Sequence, residues 1–202
     1  MTDVQIWLER AAAWRFAARL FQEPDPARAE ELATLAAALA EPLRAEALAL
    51  ASTEAERSER YFAVLGPGGC PATESAYDLA AMANRGPLIA EVSAFYEAFS
   101  YPARLTSDVA PDHLVVELDF MGFLAFKVAY ALHGDRAGDR AVAEAAYADF
   151  RDRHVRFWLE AFRDRLHETN ASPFAAAAEW TCQVVETEWT EAHVNARKGA
   201  GL

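Results

Sequence analysis

From Pro111 to Leu132 the chain carries a stretch with little structural freedom. Asp112 and His113 follow a proline, where a first helical turn begins. Leu114, Leu118, Met121 and Leu124 then recur at helical spacing. The segment therefore supplies a buried wall and, at its mouth, a polar rim. Such a pairing suits the grip of a peptide as well as it suits chemistry, and the rest of the chain has to decide between them.

The flanking sequence reads as helices cut by proline and glycine. A first helix is expected over 4–21, with Ile6, Trp14, Ala17, Leu20 and Phe21 as its apolar surface, stopped at Glu23–Pro26. Alanine-rich helices follow at about 27–40 and 43–65. Gly66-Pro67-Gly68-Gly69 is a turn or loop by composition. A short helix at 74–83 ends at Asn84-Arg85-Gly86-Pro87. The next, at 88–101, places Leu88, Val92, Phe95 and Phe99 on one face. After the Pro111–Leu132 helix and a turn at 133–139, long helices are expected at 140–167 and 173–194. No alternating pattern persists between turn signals, so the expected fold is all-α, a single multi-helix domain over 1–202. A hinge at 101–110, a site for a swapped dimer, and a flexible tail at 197–202 complete the reading.

Of the 202 residues, 53% are hydrophobic, which argues against disorder. No apolar run reaches the roughly 18 residues of a membrane span. The first residues lack the basic and apolar halves of an export signal, so the cytoplasm is the expected compartment. Cys70 and Cys182 form neither a disulfide framework nor a CxxC motif. The net charge is −12, and residues 61–130 hold eight acids against Arg85, Arg104 and Lys127. Such a field repels nucleic acid; it reads either as ordinary solubility or as preference for a basic partner.

His113 and Glu117 are four apart and share a helix face, and Asp112 and Asp119 lie seven apart. No HExxH, neighbouring histidine or cysteine pair accompanies them, so no metal is expected. No nucleophile motif stands beside Asp112 and His113, and Gly66–Gly69 lacks the Lys-Ser/Thr of a phosphate loop. A rim recognising a peptide or cationic side chain and a helix-capping role both remain open for the pair. His154, between Phe150 and Trp158, reads as a satisfied core or edge group, or as a polar contact reaching the Asp112 motif. Trp14, Phe21, Tyr61, Phe62 and Tyr77 are either core or the lining of a groove. Glu74 beside such a groove would suit an arginine.

Four blocks together resemble the TorD/DmsD family of cytoplasmic molybdoenzyme maturation chaperones, which is related to the nitrate reductase assembly factors. They are Trp14–Pro24 (WRFAARLFQEP), Tyr61–Pro67 with Glu74–Tyr77 (ESAY), Pro111–Met121 (PDHLVVELDFM), and the His154-x-x-x-Trp158-Leu159 helix. Val109 and Ala110 stand where the family has an acidic lead, and Trp14 where tyrosine is common. The resemblance implies a TorD-like helical fold without catalytic residues, cofactor or metal. Its implied partner is the apo catalytic subunit of a DMSO-reductase-family molybdoenzyme, held during molybdenum cofactor insertion and often recognised through a twin-arginine leader. Carried onto this chain, Asp112 and His113 are the first expected client-binding residues. Glu74, Tyr77, Trp14 and Glu117 complete the expected set. Neither nucleic acid nor stable membrane insertion is implied, and monomer and dimer are both open. The rival readings are a permanent helical adaptor of a redox complex and an enzyme using Asp112, His113 and Glu117.

Overall fold

The computed structural model describes residues 2–102 and 109–199, the side chains of 188–199 excepted. The chain runs through α1 (Asp3–Leu20), α2 (Arg28–Ala37), α3 (Leu43–Ala51) and α4 (Glu54–Val64). A 3-10 turn (Glu74–Ala76), α5 (Leu79–Ala83) and α6 (Gly86–Ala98) follow. Then come α7 (Leu114–His133), α8 (Ala137–Phe150), a π turn (Arg151–Val155), α9 (Arg156–Glu168) and α10 (Phe174–Gly199). Among the described residues the one β feature is an isolated antiparallel bridge between Thr73 and His113. The expected all-α class is what the structure has.

The packing centre is the α7 face against α1, with α8 packed along α7 and meeting α1 through Tyr147, and α10 closing over α9 and α1. Leu114, Leu118, Met121 and Leu124 are all fully buried, as their spacing requires. Gly122 lets the two central helices approach: a Cβ there would lie 3.3 Å from the Ala11 carbonyl oxygen and 3.5 Å from Trp14 Cβ. Aromatic rings fill the space between layers. Phe120 sits edge-on to Phe150 and Tyr96, and Phe16 edge-on to Trp180.

Three boundaries differ from expectation for physical reasons. The helix expected at 43–65 breaks at Ser52 and Thr53, whose hydroxyls donate back to the Ala49 and Leu50 carbonyls. Arg57 reinforces the break, donating to the Leu50 carbonyl at 2.7 Å from a buried position while paired to Glu54. The helix expected at 140–167 starts at Ala137 and carries the π turn, a widening that periodicity does not encode. The segment expected as one helix at 74–83 is a 3-10 turn followed by the five-residue α5. Of the expected hinge at 101–110, residues 103–108 lie outside the described residues, as do 200–202 of the expected tail; 197–199 continue α10.

Candidate functional site

The loop after α4 brings the site together. Gly68 adopts φ +86°, and a Cβ on Gly69 would collide with the Val64 carbonyl, so the chain turns tightly there. Cys70 N–H then donates to that carbonyl at 2.7 Å. The following residues lie alongside the entry to α7. Leu114 N–H donates to the Ala72 carbonyl and Glu74 N–H to the Asp112 carbonyl, both at 2.9 Å. Tyr96 OH holds the Pro111 carbonyl from α6. The 3-10 turn and the mouth of α7, 37 residues apart in sequence, are thereby one structural unit.

Four ionisable side chains meet behind this seam, all at or below 2% exposure: Glu74, Asp112, Glu117 and His154. Asp112 Oδ2 accepts from Ser75 N–H at 3.1 Å and Oδ1 from Arg85 Nη2 at 3.0 Å. His154, on the π turn, places Nδ1 3.1–3.2 Å from both Glu74 carboxylate oxygens; a carboxylate only accepts, so Nδ1 carries the hydrogen. Its Nε2 is 3.5 Å from Glu91 Oε1 without a hydrogen bond. Glu117 Oε2 accepts from Trp158 Nε1 at 3.0 Å. Complete burial, with the Glu74 carboxylate next, raises the Glu117 carboxyl well above its ordinary range. Burial thus favours the protonated form of Glu117, whose Oε1 has no hydrogen-bond partner.

His113 takes a different part. It is the N-cap of α7, its Nδ1 accepting from Val115 N–H at 3.2 Å. Burial lowers its pKa from 6.5 to about 4, against the opposing pull of Asp112. The ring is thus neutral, and protonation would convert the capping acceptor into a donor. Because the folded value lies below the unfolded one, the unfolded chain binds the proton first. The stability tied to the buried neutral ring is whole above about pH 6.5 and is lost as pH falls towards 4, amounting to at most about 3 kcal/mol. H113N keeps a capping oxygen without a titrating ring. Its unfolding free energy at pH 7 should stay within about 1 kcal/mol of wild type. Its decline between pH 6.5 and 5 in urea titrations should be flatter; a decline as steep as wild type would remove His113 from this role.

The expected site residues are thus partly gathered and partly scattered. Glu74, Asp112 and Glu117 lie together, but closed off from solvent rather than facing a groove. His113 and Glu117, though on one helical face, serve different partners, and Asp119 goes instead to Tyr101 OH at 2.8 Å and to Arg19. Tyr77 is partly buried, stacked on Trp158 with ring centroids 5.4 Å apart, its OH donating to the Pro71 carbonyl. Trp14 is elsewhere: fully buried between α1 and α8, Nε1 donating to Tyr147 OH at 2.6 Å. In this conformation the Trp14 side chain has no exposed surface. Of the other aromatics weighed as groove lining, Phe21 is fully buried and Phe62 is exposed.

Sequence reasoning passed over Arg85, which reads as part of an ordinary helix break, and over the engagement of His154 with Glu74. On α5, which packs on the 3-10 turn that carries Glu74, Leu79, at 85% exposure, and Met82 are exposed. A separate groove of about 420 Å³ lies between α1 and α7, lined by Leu8, Ala11, Tyr101, Gly122, Phe123 and Phe126 among others. It shares no residue with the expected set. No group of three or more His, Cys, Asp or Glu among the described residues is disposed to hold a metal ion. Both cysteines are buried free thiols. No helix among the described residues is long and apolar enough to cross a membrane.

The sequence of the nitrate reductase delta subunit family matches residues 22–164. The chain belongs to that family. The match encloses every member of the buried cluster and leaves out Trp14. A selenate reductase assembly chaperone protein of Thauera selenatis is 36% identical over 116 residues, 55% of this chain and 58% of the relative. A chlorate reductase assembly chaperone protein of Ideonella dechloratans is 33% identical over 129 residues, 63% of this chain and 65% of the relative. The chain thus spans under two thirds of the length of each. No solved structure matches significantly. The expected kinship with molybdoenzyme assembly chaperones holds at the level of the family.

Proposed function

We propose that this protein is a chaperone that binds the apo catalytic subunit of a DMSO-reductase-family molybdoenzyme in the cytoplasm, through its twin-arginine leader, and holds it during molybdenum cofactor insertion. The observation that carries the reading is the similarity to two reductase assembly chaperones, within a family match that encloses the whole buried cluster. Binding is stoichiometric and involves no catalysis. Asp112 and Glu117, which an enzymatic reading would use, are sealed from solvent and committed to Arg85 and Trp158.

The burial of the cluster changes how a client is met. Its carboxylates do not project into solvent; they underlie a rim formed by Leu79, Met82 and Arg85, with His113 and Tyr77 partly exposed at its edge. The rim gives an apolar segment something to pack on, and the net charge of −12 speeds the approach of a basic one. The test uses surface residues, so that folding and binding separate. L79S/M82S should leave the melting temperature within about 2 °C of wild type, as exposed substitutions do. It should weaken binding of the client leader by about tenfold or more. Unchanged affinity would remove this rim from the client surface.

A further inference from the structure

Asp112 and Arg85 make an unequal pair. The carboxylate is fully buried, whereas the guanidinium that neutralises it is 54% exposed, and Asp112 is its one ion-pair partner among the described residues. Arg85 is also delivered by a lightly held segment. α5 is five residues long and buries only Ala81, packing mainly on the 3-10 turn before it and on α6 after it. Between α5 and α6 the backbone is extended at Asn84, and every residue from Met82 to Pro87 is exposed. Elsewhere in the cluster, Glu117 Oε1 and His154 Nε2 are buried polar atoms with no hydrogen-bond partner. The buried Asp112 is therefore neutralised by a cation that comes from an exposed segment.

A carboxylate buried to this degree cannot simply release its cation, because an unpaired buried charge costs more than the pair gains. It can exchange one cation for another. A guanidinium, planar and weakly hydrated, is the group that exchanges with least loss.

We propose that Arg85 is an internal stand-in for an arginine of the client: it occupies Asp112 in the free protein and gives way to a client guanidinium, while Leu79 and Met82 take that arginine's apolar flank. This rests on the client-binding reading above. Exchange of like for like leaves the ion pair nearly unchanged, so the affinity comes from the apolar flank. A lone arginine competes poorly against a tethered one, whose effective concentration is high. The site is thereby closed to free arginine and open to an arginine set beside apolar residues.

The test is calorimetric titration of wild type, R85A and R85A/D112N with N-acetyl-arginine amide, alongside thermal shifts. R85A should bind the amide at least about tenfold more tightly than wild type, since the competing occupant is gone, and regain melting temperature as it does. R85A/D112N should show neither effect. Equal affinity in wild type and R85A, or binding that survives D112N, would overturn the proposal. Should R85A fail to fold, R85K replaces it: a lysine lacks the fork and should yield to the amide more readily than arginine, and equal affinity again overturns the proposal. R85A that holds the client leader as wild type does, yet ignores the amide, sinks the stand-in alone. A wild-type protein that ignores the leader while R85A takes the amide sinks the client reading alone.

Discussion

Replacing His154 with alanine should destabilise the protein by about 3–5 kcal/mol, the cost of removing one partner from a buried charged or hydrogen-bonded pair. Glu74 would lose the donor that meets both of its oxygens at 2% exposure. In a chain of this length that corresponds to a fall of about 10 °C in melting temperature. The cost belongs to the stranded carboxylate more than to the lost contact, so it should not be additive. E74Q/H154A should be markedly more stable than the sum of its single variants predicts, and E74M/H154L should recover most of the loss. Thermal and urea unfolding of the four proteins closes the cycle. An H154A protein within about 1 kcal/mol of wild type, or strictly additive losses, would contradict the coupling drawn here.

The second large effect is at Trp14. W14A should cost about 3–5 kcal/mol, the usual consequence of emptying a fully buried aromatic site. W14F keeps most of the volume and loses the hydrogen bond to Tyr147, so about 1–3 kcal/mol is expected. Neither change touches the rim. Folded W14F should therefore bind client leader with wild-type affinity at a temperature well below its melting point. Normal stability with a tenfold loss of leader affinity would place Trp14 in a groove after all.

These two residues show what the sequence does and does not make legible. The all-helical class follows from alanine and leucine between Pro/Gly breaks, and the core of α7 from the spacing of Leu114, Leu118, Met121 and Leu124. The chemistry-bearing positions Glu74, Asp112 and Glu117 were visible as residues, because their likeness to a family picks them out. Their burial was not visible. A carboxylate in a helix's first turn reads as exposed or capping unless its partners are known, and Trp158, His154 and Arg85 reach it only through tertiary structure. Arg85 illustrates the limit most plainly: in sequence it is one cation in a helix break, and its meaning comes from the buried Asp112 it meets. The Ser52–Thr53 break was legible in principle, since paired hydroxyls bonding back to helix carbonyls end helices. The π turn that positions His154 has no sequence signal of comparable strength.

The most direct test of the account is capture of the protein's partner from the cytoplasm of the native cell, with mass spectrometry of what is bound and a molybdenum assay of the complex. The account predicts a stoichiometric complex with the catalytic subunit of a molybdoenzyme that contains no molybdenum. A partner recovered only as the finished, metal-loaded enzyme would contradict it and make the protein a permanent subunit.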